Sequence, residues 1–238
     1  MDKLQMVIKS RPMFHRGETE ISRSFDAAES LLSGKQVAQL NNNELTCYGI
    51  GEDVLGFIAG SINKDSKTLE TGAGCSTLVF ACCGADHTAV TPSLPEITLI
   101  GGYAADNGIP MERVKFVQQS SDYFLPRNEA EGYDLVLLDG KHAFPWPVID
   151  WFYTADKLKE GGLMLIDDAE MKSVSLLTDF MKVDNGWELV HNFSGKTIVF
   201  KKTRRATHDV AWHMQPYTVG NRGPWDRLTK RIRQTMGV

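Results

Sequence analysis

Short apolar runs alternate with longer amphipathic runs through the middle of the chain, and this alternation predicts an α/β fold. The apolar runs are rich in Val, Leu and Ile and predict five buried strands, at Thr68–Glu70, His87–Thr91, Val114–Gln118, Asp134–Leu138 and Gly162–Ile166. Helices are predicted around them, near residues 53–62, 76–84, 95–107, 146–158 and 170–183. Because strands separated by helices form parallel βαβ units, we expect a doubly wound, mostly parallel sheet.

The last apolar segments follow a different pattern. Trp187–Phe193 and Lys196–Phe200 flank a Ser-Gly turn, which predicts a β-hairpin that completes a seven-stranded sheet with its last strands antiparallel. The predicted domain covers residues 46–202. An N-terminal extension, residues 1–45, contains one predicted helix around Asp26–Leu40, and residues 203–238 form a basic C-terminal extension. The C-terminal extension is either a docking element or a solvated helix packed on its own domain.

Composition excludes several classes of protein. The 238 residues are 42% apolar and 24% charged, with a formal net charge of −4, which gives no support for nucleic-acid binding. The sequence contains no apolar run of bilayer-spanning length, and its N-terminus is too polar for a secretory signal. We therefore expect a cytoplasmic protein with no membrane partner. The four cysteines lack C-x-x-C spacing, which favours reduced thiols over a zinc site.

A glycine turn joins the first predicted strand to the next helix, in the sequence Leu-Glu-Thr-Gly-Ala-Gly-Cys-Ser-Thr at 69–77. Gly72 and Gly74 allow the backbone to turn tightly and to approach a ligand closely. The helix that follows presents free N–H groups at its start, so the turn predicts a site for a nucleotide-like cofactor. A dinucleotide fingerprint would place a third glycine where this chain has Thr77.

Acidic side chains and one histidine follow the predicted strands. The first strand ends at Glu70, the fourth is followed by Asp139 and then His142, and the fifth is followed by Asp167 and Asp168. Ligands of doubly wound sheets bind at the carboxyl ends of the strands. We therefore expect these side chains to converge on one edge of the sheet.

The glycine turn and the acidic strand ends together resemble those of class I S-adenosylmethionine-dependent methyltransferases. Within that superfamily the chain is most similar to the metal-dependent small-molecule O-methyltransferases of the catechol and macrolide-sugar kinds, over about residues 50–202. The resemblance implies a Rossmann-like fold and methyl transfer from S-adenosylmethionine to a hydroxyl of a small-molecule acceptor. It also implies Mg²⁺, or another hard divalent cation, as a second cofactor.

The resemblance implies roles for particular residues. Asp139, Asp167 and Asp168 would bind the metal, and three oxygen ligands suit a hard cation. Asp139 and His142 would be catalytic, with the imidazole taking the proton of the acceptor hydroxyl. The predicted cofactor-binding residues come from the glycine turn and the strand ends: Glu70, Gly72, Ala73, Gly74, Ser76, Thr91, Ser93, Ser121 and Asp139.

Two positions depart from the family pattern. Relatives end the second strand with an acid that binds the ribose, where this chain has Thr91, and often carry an acid beside the adenine, where this chain has Ser120. The hydroxyls of Thr91 and Ser93 could still bond the ribose, although a carboxylate is a stronger acceptor. Asp122 could replace the missing acid beside the adenine.

Simpler roles stay open for the same residues. Asp168 could cap the next helix, Asp139 could bind only the cofactor or backbone N–H groups, and His142 could be a polar loop residue beside aromatic neighbours. Lys141 is an alternative base. The competing hypotheses are therefore a metal-independent methyltransferase and a non-catalytic domain that binds a nucleoside or a partner protein. The two extensions are candidate contacts in a homo-oligomer.

Overall fold

Seven strands form one sheet at the centre of the protein, which a computed structural model describes over residues 2–14, 49–204 and 210–219. The strands are β1 (Lys67–Thr71), β2 (Asp86–Val90), β3 (Val114–Val117), β4 (Tyr133–Leu138), β5 (Leu158–Ile166), β6 (Trp187–Phe193) and β7 (Thr197–Lys202). Their order is β3-β2-β1-β4-β5-β7-β6. Strands β1 to β5 are parallel, and β7 runs antiparallel to both of its neighbours. The predicted fold class is confirmed.

Helices cover both faces of the sheet. They are α1 (Lys3–Ser10), α2 (Glu52–Ser61), α3 (Cys75–Cys82), α4 (Leu94–Asp106), α5 (Ser121–Phe124), α6 (Trp146–Ala155), α7 (Lys172–Val183) and α8 (Pro216–Val219). Leu135 and Leu137 of β4 belong to the hydrophobic core that contains α1 to α4, whereas Val136 and Leu138 belong to the core that contains α6 and α7. Burial on both faces explains why this strand is a continuous apolar run.

The helices and strands predicted between residues 53 and 200 are all present, and most boundaries agree within two residues. The largest difference lies between α6 and β5, because α6 ends at Ala155 and β5 begins at Leu158 rather than at Gly162. Lys202, which is 3% exposed, donates hydrogen bonds to the carbonyl oxygens of Ala155 and Leu158, at 2.6 and 2.7 Å. This contact comes from β7, so the local pattern around residue 158 could not predict it.

Helix α1 was not predicted from the sequence, although it buries Val7 and Ile8 completely or nearly so. The helix predicted around Asp26–Leu40 and most of the C-terminal extension lie outside the described residues. Of the four cysteines, the three that the structure describes are free thiols, namely Cys75, Cys82 and Cys83. No described helix is both long enough and apolar enough to cross a membrane.

A buried polar network connects β1, β2 and α3. Glu70, which is 1% exposed, accepts hydrogen bonds from the hydroxyls of Ser76 and Thr77 in the first turn of α3. The Nε2 atom of His87 lies 3.1 Å from Oε1 of Glu70, and its Nδ1 atom lies 2.8 Å from the hydroxyl of Thr68. Because each member of such a network depends on its neighbours, Glu70 fixes the start of α3 against the sheet.

Replacing Glu70 with Ala should destabilise the fold. The change leaves the hydroxyls of Ser76 and Thr77 and the ring of His87 without their buried acceptor, so we expect the free energy of unfolding to fall by about 1–3 kcal/mol in urea denaturation. Asp86→Ala is the matched control, because it removes an exposed carboxylate from β2 and should change that free energy by less than about 0.5 kcal/mol. Equal losses in the two variants would contradict the structural role of Glu70.

Candidate functional site

A cavity of about 780 Å³ opens at the carboxyl ends of β1, β2 and β4. Its wall contains the glycine turn at 72–74, the residues that follow β2 and β4, and the segment 11–14 that follows α1. The strand order changes direction between β1 and β4. The cavity therefore lies at the switch point where doubly wound sheets bind their ligands.

Most of the predicted cofactor-binding residues line this cavity. They are Gly72, Ala73, Gly74, Ser76, Thr91, Ser93, Ser121 and Asp139. Glu70 is the exception, because its carboxylate lies behind the glycine turn in the buried network with α3. Glu70 is therefore not part of the cavity wall, although the glycine turn that follows it is.

The glycine turn depends on one close approach of backbone to backbone. Gly72 has a φ of +89°, and a Cβ atom at this position would lie 2.1 Å from the carbonyl oxygen of Asp139. The N–H of Gly72 donates to the carbonyl of Val90, and the N–H of Asp139 donates to that of Thr71, at 2.9 and 3.1 Å. Gly74 is different, since its φ of −177° is extended and a Cβ atom there would meet nothing within 4 Å.

The residues after β4 and β5 form an acidic cluster with His142. The Nε2 atom of His142 lies 3.5 Å from Oδ1 of Asp139, and its Nδ1 atom lies 3.3 Å from Oδ2 of Asp168. One atom of each of the three side chains lies within 4.8 Å of the others, which is close enough to share a metal ion. Helix α7 begins at Lys172 with Met171 as its N-cap, so Asp168 does not cap it.

Asp167, the other predicted metal ligand, lies beside this cluster. Its side chain is 1% exposed, and Oδ1 accepts a hydrogen bond from the hydroxyl of Thr197 in β7. Its Oδ2 atom has no hydrogen-bond partner among the described residues. A buried carboxylate oxygen without a donor is a group that a cation can stabilise.

Burial and neighbouring charges shift the pKa values in this cluster. Burial raises the pKa of Asp139 to about 6, although His142 acts in the opposite direction. Burial alone would lower the pKa of His142, but the carboxylates of Asp139 and Asp168 raise it above its ordinary value. Burial also raises the pKa of Asp168. The cluster therefore retains protons towards neutral pH, and a metal ion must compete with them.

Lys141, the alternative base, lies outside the acidic cluster. Its Nζ atom is 3.6 Å from the centroid of the Trp146 ring, a cation–π contact. A different lysine, Lys196, approaches the cluster, with Nζ 3.7 Å from Oδ1 of Asp168, and also donates to the carbonyl of Gly49 at 3.0 Å. The histidine is therefore better placed than Lys141 to exchange a proton with a group bound at the acidic cluster.

Glu96 lines the cavity, although the sequence did not predict it there. It lies in the first turn of α4, and its Oε2 atom accepts a hydrogen bond from the hydroxyl of Thr91 at 3.0 Å. The side chain of Ser93 caps α4 by accepting from the N–H of Glu96. A carboxylate therefore does stand beside the end of β2, but α4 supplies it. The Ser-x-x-Glu spacing at 93–96 is typical of a capping box, and it could have predicted that Glu96 lies at the start of a helix directly after β2.

Gly72→Ala should disrupt the site, whereas Gly74→Ala should be tolerated. A methyl group at residue 72 would collide with the carbonyl of Asp139, and alanine is strained at this φ, so we expect the free energy of unfolding to fall by about 1–3 kcal/mol and ligand binding to weaken. At residue 74 we expect a change below about 0.5 kcal/mol. Thermal and urea denaturation measure both effects, and similar stability losses in the two variants would contradict the close-approach argument.

Comparisons with known proteins bear on the function of this cavity. A family model described as a methyltransferase domain matches residues 69–169, which run from β1 to the residues after β5. No curated protein matches the chain. The matched segment contains the glycine turn and the whole acidic cluster.

Three solved structures share the fold over most of their length. A Staphylococcus aureus protein described as a caffeoyl-CoA O-methyltransferase has a TM-score of 0.54 at 15% identity, over 79% of this chain and 93% of its own. Cofactor-bound Rv0187 from MTB has a TM-score of 0.53 at 15% identity, over 79% and 90%. A Clostridium thermocellum protein described as an rRNA methylase has a TM-score of 0.53 at 12% identity, over 71% and 100%. At such identities the likeness shows the fold alone. The chain is therefore similar to a methyltransferase domain over residues 69–169, and the solved structures share its fold.

Proposed function

We propose that the protein transfers a methyl group from S-adenosylmethionine to a hydroxyl of a small molecule, with the assistance of a divalent cation. One observation carries the proposal: the side chains of Asp139, His142 and Asp168 meet at the wall of the same cavity that the glycine turn lines. A cofactor held by the turn and an acceptor held at the cluster would be neighbours. Holding two reactants near contact distance is a large part of catalysis.

The acidic cluster has the donor set that a hard cation requires. Asp139 and Asp168 offer carboxylate oxygens to the cavity, and the neighbouring Asp167 has a buried oxygen with no hydrogen-bond partner in the part of the chain that the structure describes. Carboxylates of this kind suit Mg²⁺ or Mn²⁺. When bound, the cation would lower the pKa of the acceptor hydroxyl and orient its oxygen.

His142 is the proposed general base. Its backbone carbonyl accepts a hydrogen bond from the hydroxyl of Ser173, which holds its loop against α7. The carboxylates of Asp139 and Asp168 flank its ring and favour the imidazolium form. In its neutral form the ring would accept the proton of the acceptor hydroxyl while the oxygen bonds to the methyl carbon and the methyl–sulfur bond breaks, which releases S-adenosylhomocysteine. The two carboxylates would stabilise the imidazolium that results.

The walls of the cavity favour a small acceptor. Apolar side chains contribute much of the lining beyond the glycine turn, including Met13, Phe14, Ile50, Trp146 and Met171. The segment that follows α1 forms one wall, and the volume lies in the range of small-molecule sites. A nucleic-acid acceptor would require an extended basic surface, whereas the chain carries a net charge of −4.

Methyl transfer assays with labelled S-adenosylmethionine and a panel of hydroxylated small molecules test the proposal. We expect activity that is lost after exhaustive EDTA treatment and restored by Mg²⁺. His142→Ala should lower kcat by about 10²- to 10⁴-fold because the proton acceptor is removed, with cofactor affinity within about twofold of the native value. His191→Ala, which changes an exposed histidine of β6 outside the cavity, is the matched control and should retain activity.

The possible failures of this experiment have different meanings. Activity that survives chelation would favour a metal-independent methyltransferase. No detectable binding of S-adenosylmethionine at millimolar concentration in calorimetry would favour a non-catalytic domain. Equal losses of turnover and cofactor affinity in His142→Ala would contradict its role as the base.

We further propose that Glu96 binds the ribose hydroxyls of the cofactor. Glu96 accepts a hydrogen bond from the hydroxyl of Thr91, so its carboxylate lies beside the end of β2. A carboxylate is a stronger hydrogen-bond acceptor than the hydroxyl of Thr91. Glu96→Gln should weaken S-adenosylhomocysteine binding by about tenfold in calorimetry, which is the effect of one charged hydrogen bond. The 2′,3′-dideoxy analogue of S-adenosylhomocysteine, which lacks both hydroxyls, should bind the native protein and the variant with similar affinity. Glu112→Gln, at an exposed position before β3, is the control.

A loss of the same size for S-adenosylhomocysteine and its 2′,3′-dideoxy analogue would count against contact between Glu96 and the ribose. It would instead assign Glu96 to the shape of the cavity wall.

A further inference from the structure

One cation in the cavity wall has no part in the mechanism proposed above. Arg11 follows α1 directly and lines the cavity close to the glycine turn. Its backbone has a φ of 42°, a left-handed conformation that is uncommon for residues other than glycine. Among the described residues, none forms an ion pair or a hydrogen bond with its guanidinium group.

The chain is fixed on both sides of Arg11. Before it, Val7 and Ile8 are 0% and 5% exposed in the core, and the backbone N–H of Arg11 donates to the carbonyl of Val7 at 2.9 Å. After it, Phe14 is 5% exposed and packs edge-to-face on Tyr103 of α4, with ring centroids 5.6 Å apart. The packing therefore sets the position of Arg11 in the wall.

The Arg11 charge acts on the first residue of α3. Burial raises the pKa of the Cys75 thiol to about 12, and the guanidinium of Arg11 is the largest influence that opposes this increase. The Cys75 thiol also faces the carbonyl oxygen of Val7, with Sγ 3.7 Å from it. Arg11 is therefore near the end of the glycine turn that leads into α3.

The acids of the cavity wall lie elsewhere. Glu96 stands beside β2, Asp139 follows β4, and Asp168 follows β5. Glu70, the acid nearest the glycine turn in sequence, accepts hydrogen bonds from Ser76 and Thr77 behind the wall. The cavity is therefore acidic beside β2, β4 and β5 and basic beside the start of α3.

We propose that Arg11 binds the α-carboxylate of S-adenosylmethionine. This inference rests on the proposed function, and charge complementarity supports it. With the ribose at Glu96, the amino-acid group of the cofactor would lie towards the glycine turn, where Asp139 would attract its ammonium group and Arg11 its carboxylate. A guanidinium binds a carboxylate through two parallel hydrogen bonds, so Arg11 both adds affinity and orients the cofactor.

Calorimetry with two ligands tests this contact. S-Adenosylhomocysteine carries the amino-acid group, whereas 5′-methylthioadenosine has the same adenosine and sulfur without it. Arg11→Ala should weaken S-adenosylhomocysteine binding by about tenfold or more and leave methylthioadenosine binding within about twofold. Arg11→Lys, which keeps the charge but loses the planar fork, should have an intermediate effect. Lys9→Ala, at an exposed position of α1, is the control.

Each remaining outcome overturns the inference in a recognisable way. Equal losses for both ligands would show that Arg11 only supports the cavity wall, and unchanged binding of both would exclude contact with the cofactor. Either result leaves the proposed methyl transfer intact as long as the native protein binds both ligands. If the native protein binds neither ligand, the proposed function fails and this inference fails with it. Thermal denaturation of each variant identifies a loss that arises from unfolding.

Discussion

The contact between the backbone at Gly72 and the carbonyl oxygen of Asp139 is the constraint on which the site depends. It brings the turn after β1 against the loop after β4, so the backbone that would hold a cofactor and the first acid of the cluster are fixed relative to each other. No side chain fits between them, because a Cβ atom would lie 2.1 Å from that oxygen. The geometry of the site therefore follows from the register of the parallel strands and one glycine.

The buried carboxylates around the cavity destabilise the fold when they are ionised, and neighbouring groups only partly offset this cost. Burial raises the pKa values of Asp139, Asp167 and Asp168, which means that the fold disfavours their ionised forms. His142 lies between two of these carboxylates, Thr197 donates to the third, and an oxygen of Asp167 has no described donor. A cluster whose compensation is incomplete is typical of a functional site.

The alternation of strands and helices, most element boundaries and the edge that carries the site could be predicted because they depend on local periodicity and on the rule that loops after parallel strands share an edge. The end of α6 could not, since buried Lys202 of β7 sets it. The different surroundings of Asp167 and Asp168 also escaped prediction, because Asp167 accepts a hydrogen bond from Thr197 of β7 and Asp168 faces His142, and both partners are distant in sequence. Glu70 was expected in the cofactor site, a role that stays a prediction, and the structure places its oxygens towards Ser76 and Thr77.

Glu70 and Glu96 show how the acids expected from the family resemblance are distributed in this fold. The binding of a ligand depends on the position of a carboxylate and not on the helix or strand that supplies it. Glu70 follows the expected spacing, but its carboxylate holds α3 in place. Glu96 lies five residues beyond Thr91, lines the cavity and accepts a hydrogen bond from that threonine. The proposed ribose contact of Glu96 would therefore be a change of supporting element and not a loss of charge. The fold can make this change because the capped first turn of α4 lies directly beside the strand end.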